Sequence, residues 1–343
     1  NNDWIVSRTG IHERRIADAG ETTASLAAEA ALNALRVAGI SPDALDLIIV
    51  ATSSPEHVFP ATACLVQDRI GAAHAGAFDL SAACSGFIYA LQVASQSIRT
   101  GAIKNALVIG AETLSRLVNW QDRNTCILFG DGAGAFVVQA GEEPSGVLSA
   151  ILRSDGSGGD LLSIPSSGSH MPVTAETIQQ GLNFIQMNGR EVFRFASRVM
   201  AQATQEALEL ANLKIEDINL IVPHQANLRI LEAAARGLKI PLDRLMINLD
   251  RYGNTSTASI PIATCEAIQQ GRLLPNDHVV FVGFGAGLTW GAVVAQWSGP
   301  FTQRKKIYPA RYRAYARIRS YLLRLLRRVD AWIWSGRNQN NTH

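Results

Sequence analysis

Residues 46–53 read DLIIVATS and 217–224 read DINLIVPH, each opening on an acid and running into branched apolar residues. Such runs, with little polar alternation, predict strands buried on both faces, as in a parallel sheet. Behind Cys84 the sequence GFIYALQVASQSIRTG has apolar residues at helical spacing and stops at Gly101, and the strand-like NALVIGAE follows. The order recurs: STASIPIATCEAIQQG, just past Asn254, closes on Gly271, and the strand-like HVVFVGFG follows. Cys84 to Gly101 spans 17 residues, as does Asn254 to Gly271; Thr52 to Cys84 spans 32 and His224 to Asn254 spans 30. Two alternating strand–helix halves predict an α/β fold built by duplication, divided into 1–141 and 142–300. On this spacing Cys84 and Asn254 occupy equivalent helix starts that face each other, and His224 sits at a strand end. Ligands in such folds bind beyond the carboxyl ends of strands, near helix N-termini.

The pattern changes after residue 300. Tyr308, Tyr312, Tyr315, Ile318, Leu322, Leu325, Val329 and Ile333 recur at helical spacing, with arginines over much of the remaining surface. That predicts a basic amphipathic helix, ending near Trp332 and Trp334. Charge makes the tail a separate physical object. Residues 301–343 hold eleven Lys plus Arg and one acid, Asp330, a balance of +10, whereas the first 300 residues carry −8. Such a helix suits an anionic membrane surface, an acidic carrier protein or nonspecific nucleic acid, or has no role. No nucleic-acid fold signature accompanies it, so no specific nucleic-acid partner is expected.

A chain of 343 residues, 47% hydrophobic, is long enough for a full core, and no run of about 18 apolar residues is present to span a bilayer. The four cysteines (64, 84, 126 and 265) show no CxxC pairing and no metal-ligand spacing with the seven histidines, which predicts free thiols in a reducing cytoplasm and no metal site. Cys84, set in DLSAACSGF at a helix start, reads either as a small buried filler or as a nucleophile whose thiolate the helix dipole favours. Taken alone, His224 is equally a hydrogen-bonded residue at a strand end, and Asn254 in YGNTS a turn or cap residue. The glycines of GDGAG (130–134) lack a following lysine and read as tight strand structure rather than a nucleotide loop.

Six motifs carry a resemblance over essentially residues 3–297: DWIVSRTGI (3–11), AACSGF (82–87), ILFGDGAGA (127–135), VPHQANLRI (222–230), YGNTSTAS (252–259) and GFGAGLTWG (283–291). The chain resembles the thiolase-fold condensing enzymes, most closely the β-ketoacyl-acyl carrier protein synthase III family. The resemblance implies two duplicated α/β halves packed about a pseudo-twofold in an α-β-α-β-α arrangement. It implies a soluble homodimer that condenses an acyl-coenzyme A primer, acetyl-coenzyme A first, with malonyl-acyl carrier protein, with no cofactor because coenzyme A arrives as substrate. Cys84 is implied as the acylated nucleophile, and His224 and Asn254 as donors to the enolate formed on decarboxylation. Asn254 stands where chain-elongating relatives carry a second histidine, which implies the initiating class. The backbone amides of Cys84 and Ala286 are implied as the oxyanion hole; the usual glycine is alanine at 286, which requires a backbone that tolerates Cβ.

Coenzyme A binding falls by resemblance to Trp4 and Arg123, flanking the adenine, and to Arg8, at a phosphate. Arg194 and Arg229 are implied as carrier-protein contacts and Phe59 as an acyl-pocket residue contributed across the dimer. The alternatives left open are a secondary-metabolite condensing enzyme (polyketide-starter or quinolone-type) and an inactive scaffold tethered by its tail. Relatives carry a strand ahead of the DWIV motif, expected to lie centrally in the first sheet, whereas this sequence opens at NNDWIV.

Overall fold

The computed structural model describes residues 2–141, 145–299 and 307–339, with side chains as far as Trp332. Among the described residues the strands are β1 Leu47–Ala51, β2 Gly76–Leu80, β3 Asn105–Thr113, β4 Asp131–Gln139, β5 Gly146–Ser154, β6 Leu162–Ser163, β7 Gln186–Met187, β8 Leu220–Pro223, β9 His278–Gly285 and β10 Thr289–Gln296. The helices are α1 Asn2–Thr9, α2 Thr23–Ala38, α3 Thr62–Ile70, α4 Gly86–Arg99, α5 Ala175–Gln179, α6 Gly189–Leu210, α7 Leu228–Leu238, α8 Leu249–Tyr252, α9 Ser259–Gln269 and α10 Pro309–Gln339.

Two four-stranded sheets run in the orders β2-β1-β3-β4 and β5-β10-β9-β8, and β6 and β7 form a short ribbon. Of the apolar strands predicted from sequence, β1, β3 and β9 are central and β8 stands at the edge of its sheet, and all four are almost wholly buried. α4 and α9 lie between the sheets, where Phe87, Ile88, Ile260 and Ala263 share a core with Val108, Phe136, Val222 and Phe281. Outside the first sheet, α2 and α3 cover Ile48, Val50 and Leu107. Outside the second, α6 and α7 cover Val280, Val282 and Ala292. This is the five-layered thiolase arrangement.

The duplication is offset differently from the expectation. β1 pairs with β3 in parallel with Leu47 opposite Ala106, and β8 pairs with β9 with Leu220 opposite Val279. Leu47 and Leu220, Ala106 and Val279, and the left-handed residues Ala83 (φ 47°) and Ser256 (φ 49°) all stand 173 residues apart (47 to 220, 106 to 279, 83 to 256). The structural counterpart of Cys84 is therefore Thr257, not Asn254, and that of His224 is Ala51, not Thr52. The equal 17-residue spacings coincided because α9 has 11 residues against 14 in α4, while Asn254 lies three residues before Thr257 in the preceding loop.

A second correction concerns the strand expected at the centre of the first sheet. β3 is paired on both sides, with β1 and β4, so no central gap exists. In the second sheet β5 pairs with the outer side of β10; the equivalent place in the first sheet is the outer edge of β4.

The tail folds as predicted into a helix, α10, yet of the apolar stripe it is Tyr312 and Tyr315 that meet the body, and most of the rest is turned away. Tyr312, Ala316 and Ser320, at i, i+4 and i+8, lie against α2 and α3: a Cβ at Gly71 would lie 3.5 Å from that of Ala316, Ser320 donates to Asp68 (2.7 Å), and Arg313 pairs with Glu29. A groove of about 290 Å³ runs between α10 and these helices, away from Cys84. Ile318, Leu322, Leu325 and Val329 face the opposite side and are 45–61% exposed. Ile333 and Trp334 lie in the helix, with side chains outside the described residues.

Candidate active site

Cys84 sits in a single 3-10 turn, Ala83–Ser85, that leads into α4. The turn is held from the second half, where Thr289 Oγ1 donates to Ala82 O (2.9 Å) and Ser85 Oγ donates to Thr289 Oγ1 (2.8 Å). Gly285, at the end of β9, passes so close that a Cβ there would lie 2.6 Å from the Cys84 amide nitrogen. Only glycine fits that approach. Ala286 follows it and is not among the described non-glycine residues with positive φ, so the alanine sits on backbone open to any residue.

Cys84, His224 and Asn254 line one cavity of about 90 Å³, together with Gly285, Phe284 and Phe129. Burial pushes the Cys84 thiol up to about 12, and the Ser256 hydroxyl nearby opposes this. At rest, desolvation works against the thiolate that the helix start was expected to favour. His224 directly follows β8, with its amide bonded to Val282 O (2.8 Å) and its ring against Phe284. Burial drops it to about 3, so the imidazole is neutral. Its Nδ1 meets Ser259 Oγ at 2.7 Å, and its Nε2 is buried with no partner. Asn254 is fixed by its backbone, bonded to Leu128 O and Gly130 N, and its Oδ1 accepts from Ser256 N–H (2.8 Å). That bond assigns the amide orientation and turns Nδ2, a donor, toward the cavity.

Two guanidiniums approach the Trp4 ring, Arg8 at 4.6 Å and Arg123 at 5.0 Å from its centroid. A planar ring inserted between Trp4 and Arg123 needs about 7 Å, two contacts of roughly 3.5 Å, so the pair must part to hold one. α1 carries this cluster to the cavity mouth: Asn227, which lines the cavity, donates to Arg8 O (3.2 Å). Arg229 donates to Ser7 O (3.1 Å) and is exposed at the start of α7, and Arg194 is exposed on α6 beside Glu191. Phe59 is not brought to the cavity; it is 83% exposed in a loop with Val58.

Glu112 was not anticipated, although an acid closing the apolar run NALVIGAE was the available signal. It is fully buried at the end of β3 and meets Ser53 N–H (3.1 Å), Ser54 Oγ (2.6 Å) and Thr257 Oγ1 (2.9 Å). Burial raises its pKa. Thr257 Oγ1 also meets Ala51 O at 2.8 Å and has a single proton to give. A protonated Glu112 that donates to Thr257, which in turn donates to Ala51 O, satisfies both contacts. Ser256 and Ser259, likewise unanticipated, lie in the quoted run NTSTAS, where nothing local distinguishes one hydroxyl from the next.

A family model described as 3-Oxoacyl-[acyl-carrier-protein (ACP)] synthase III matches residues 78–156, and the model of its C-terminal part matches 208–297. The chain is 55% identical over 298 residues to the beta-ketoacyl-[acyl-carrier-protein] synthase III of Desulfitobacterium hafniense (strain DSM 10664 / DCB-2), covering 87% of this chain and 90% of the relative. It belongs to the β-ketoacyl-acyl carrier protein synthase III family. Members of this β-ketoacyl synthase III family are condensing acyltransferases, and the fold is theirs. The Thermus thermophilus synthase III structure matches with a TM-score of 0.81 at 48% identity, covering 87% of this chain and 92% of that one. The priming β-ketosynthase of the R1128 polyketide pathway matches with a TM-score of 0.81 at 33% identity, covering 88% and 89%.

Proposed function

We propose that the chain takes an acyl group, acetyl first, from acyl-coenzyme A onto Cys84. It then condenses that group with malonyl-acyl carrier protein to give 3-oxoacyl-acyl carrier protein, the opening step of fatty acid synthesis. The observation that carries this is the convergence of a thiol, an imidazole with an unpartnered Nε2 and an amide on one small cavity. The first half (1–141) supplies the nucleophile, and the second (142–300) supplies His224, Asn254 and the Gly285–Ala286 turn. The backbone amides of Cys84 and Ala286 receive the oxyanion of the thioester, and Asn254 Nδ2 with His224 stabilises the enolate left when the malonyl group loses CO2. These steps draw on protein groups and substrates alone. A cavity of about 90 Å³ favours a short primer, being far below the roughly 300–1,000 Å³ of drug-sized sites. The polyketide-starter reading is weaker, since the relative of that kind stands at 33% identity against 55% for the synthase III.

Trp4 and Arg123 are proposed to part around the adenine of coenzyme A, with Arg8 on a phosphate, and Arg194 and Arg229 to meet the acidic carrier protein. The unpaired edge of β2, with Phe78 half-exposed and Val58 and Phe59 beside it, is proposed as the face of a homodimer. Phe59 then enters the partner's acyl pocket. We place the protein in the cytoplasm. Among the described residues no helix is long and apolar enough to cross a membrane. For the tail we propose an anionic membrane surface. From Tyr308 to Trp332 the exposed apolar positions of α10 extend about 36 Å along a line flanked by arginines, which suits a plane better than a small globular carrier.

The test is incubation with labelled acyl-coenzyme A, followed by malonyl-carrier protein. Stoichiometric label on Cys84, discharged only when the carrier is added, is expected. Label elsewhere, or product from malonyl-coenzyme A without carrier at an equal rate, would overturn the assignment.

A further inference from the structure

We propose that Ser259 is a positioning residue that holds His224 in the Nδ1–H tautomer at rest and lets it change tautomer between the two half-reactions. The argument is a count of protons. Ser259 Oγ lies 2.7 Å from Ser256 O, a carbonyl that can only accept, and 2.7 Å from His224 Nδ1. A serine hydroxyl has one proton. Given to Ser256 O, it leaves the oxygen to accept from Nδ1–H, and both contacts are satisfied. Given to Nδ1, it leaves two oxygens 2.7 Å apart with no hydrogen between them, although Ser256 O keeps its bond from the Ser259 backbone N–H. The first arrangement therefore prevails at rest, and it makes Nε2 an unprotonated acceptor.

Nε2 is buried and without a partner, on a side chain that lines the same cavity as Cys84, so no other contact sets its protonation. The neighbours leave few other proton acceptors. Phe284 covers one side of the ring, Gly283 approaches its Cβ, and the ring is 1% exposed as a residue. A bare Nε2 is what acylation requires. The Cys84 S–H bond breaks as the sulfur attacks the thioester carbonyl, its proton passing to Nε2 only in that step because the resting thiol and imidazole do not exchange it, and the new thioester forms as the coenzyme A thiolate leaves. That thiolate takes the Nε2 proton and departs as the thiol. Condensation requires the reverse, an Nε2–H that donates to the enolate oxygen. Exchange with water, once coenzyme A has left, moves the single imidazole proton from Nδ1 to Nε2, and the Ser259 hydroxyl swings from Ser256 O to Nδ1. A hydroxyl serves both states; an obligate acceptor such as a carboxylate would serve only the first.

The kinetic part rests on the function proposed above; the tautomer does not. The experiment is nitrogen-15 NMR of histidine-labelled full-length protein, with the His224 signals assigned by their loss in H224Q. In the resting wild-type protein we expect a pyrrole-like Nδ1 and a pyridine-like Nε2, a single tautomer. Ser259→Ala should abolish that preference and slow acylation of Cys84 roughly 10- to 100-fold with coenzyme A affinity unchanged, and Ser259→Thr should restore both. A pyrrole-like Nε2 in the resting wild-type protein overturns the proposal whether or not any variant folds. So does an S259A spectrum that keeps the wild-type tautomer. If the tautomer is as expected but no labelled acyl group reaches Cys84, the functional assignment fails and the role of Ser259 as tautomer partner stands.

Discussion

The starts of α4 and α9 share a backbone and are used in opposite ways. Each is entered through a left-handed residue, Ala83 at φ 47° and Ser256 at φ 49°, a conformation that costs a non-glycine residue about 1–2 kcal/mol. Next comes Cys84 in one half and Thr257 in the other. At the equivalent strand end, 173 residues apart (112 to 285), the first half has Glu112 and the second Gly285. Thr257 and Glu112 fill their site with a closed set of hydrogen bonds, whereas Cys84 and Gly285 leave a cavity. Duplication supplied two matching frames. Chemistry arises where one frame was emptied, and stability where the other was filled with a bonded carboxyl.

Breaking the emptied side should have the largest effect. Cys84→Ser should abolish acyl transfer, seen as loss of protein-bound label, with fold and coenzyme A binding retained, because a hydroxyl is a far weaker nucleophile. Appreciable turnover would refute a covalent route. Gly285→Ala should follow, since its Cβ would press on the Cys84 amide at 2.6 Å. Displacing one oxyanion donor typically costs about 10²- to 10³-fold in rate, measurable as slowed acylation with the thiol still present.

Breaking the filled side should show in stability. Glu112→Ala leaves Ser53 N–H and the Thr257 and Ser54 hydroxyls facing a void and should cost about 3 kcal/mol in a denaturant titration, with Glu112→Gln milder. A variant as stable as wild type would mean the two helix starts are not distinguished as argued.

The pH dependence sharpens the contrast. His224 is lowered from 6.5 to about 3 in the folded state, so between those values the unfolded chain binds more protons. Its contribution is complete above pH 6.5 and is lost as pH falls, by about 2 kcal/mol from 6.5 to 5. His224→Gln should flatten that acid limb in thermal melts. Cys84, raised from 9.0 to about 12, acts oppositely, its contribution complete below pH 9 and lost as pH rises above it.

Smallest in activity should be removal of residues 307–343, since α10 contributes nothing to the cavity. Acylation of Cys84 is expected to change less than twofold, within about 0.4 kcal/mol. In co-sedimentation, the full chain should bind anionic vesicles at low salt, partly release them as salt rises, and ignore zwitterionic ones. Leu322→Glu with Leu325→Glu should abolish the salt-resistant part. Failure of the intact protein to bind anionic vesicles would end the membrane reading. A deletion that instead raises KM for malonyl-carrier protein would assign the tail to the carrier.

Much was legible in the sequence, for reasons that are local. Unbroken apolar runs marked β1, β3, β8 and β9, helical spacing with a glycine stop marked α4 and α9, and the sign of the charge separated α10 from the body. Cys84, His224 and Asn254 stood out through motif order, and they share one cavity.

What the chain alone decided was therefore periodicity, order and charge, because these depend on neighbours a few residues away. Tertiary structure decided the rest. Thr257 rather than Asn254 is the counterpart of Cys84 because sheet register, not residue count, aligns the halves. Cys84 is a protonated thiol because walls from both halves exclude water from it. The face α10 turns to α2 and α3 carries small side chains, because Ala316 can approach Gly71 and Ser320 can reach Asp68, while most of the bulky apolar stripe finds no such fit. Each outcome rests on atoms brought together from segments far apart in the chain, and no local pattern encodes that distance.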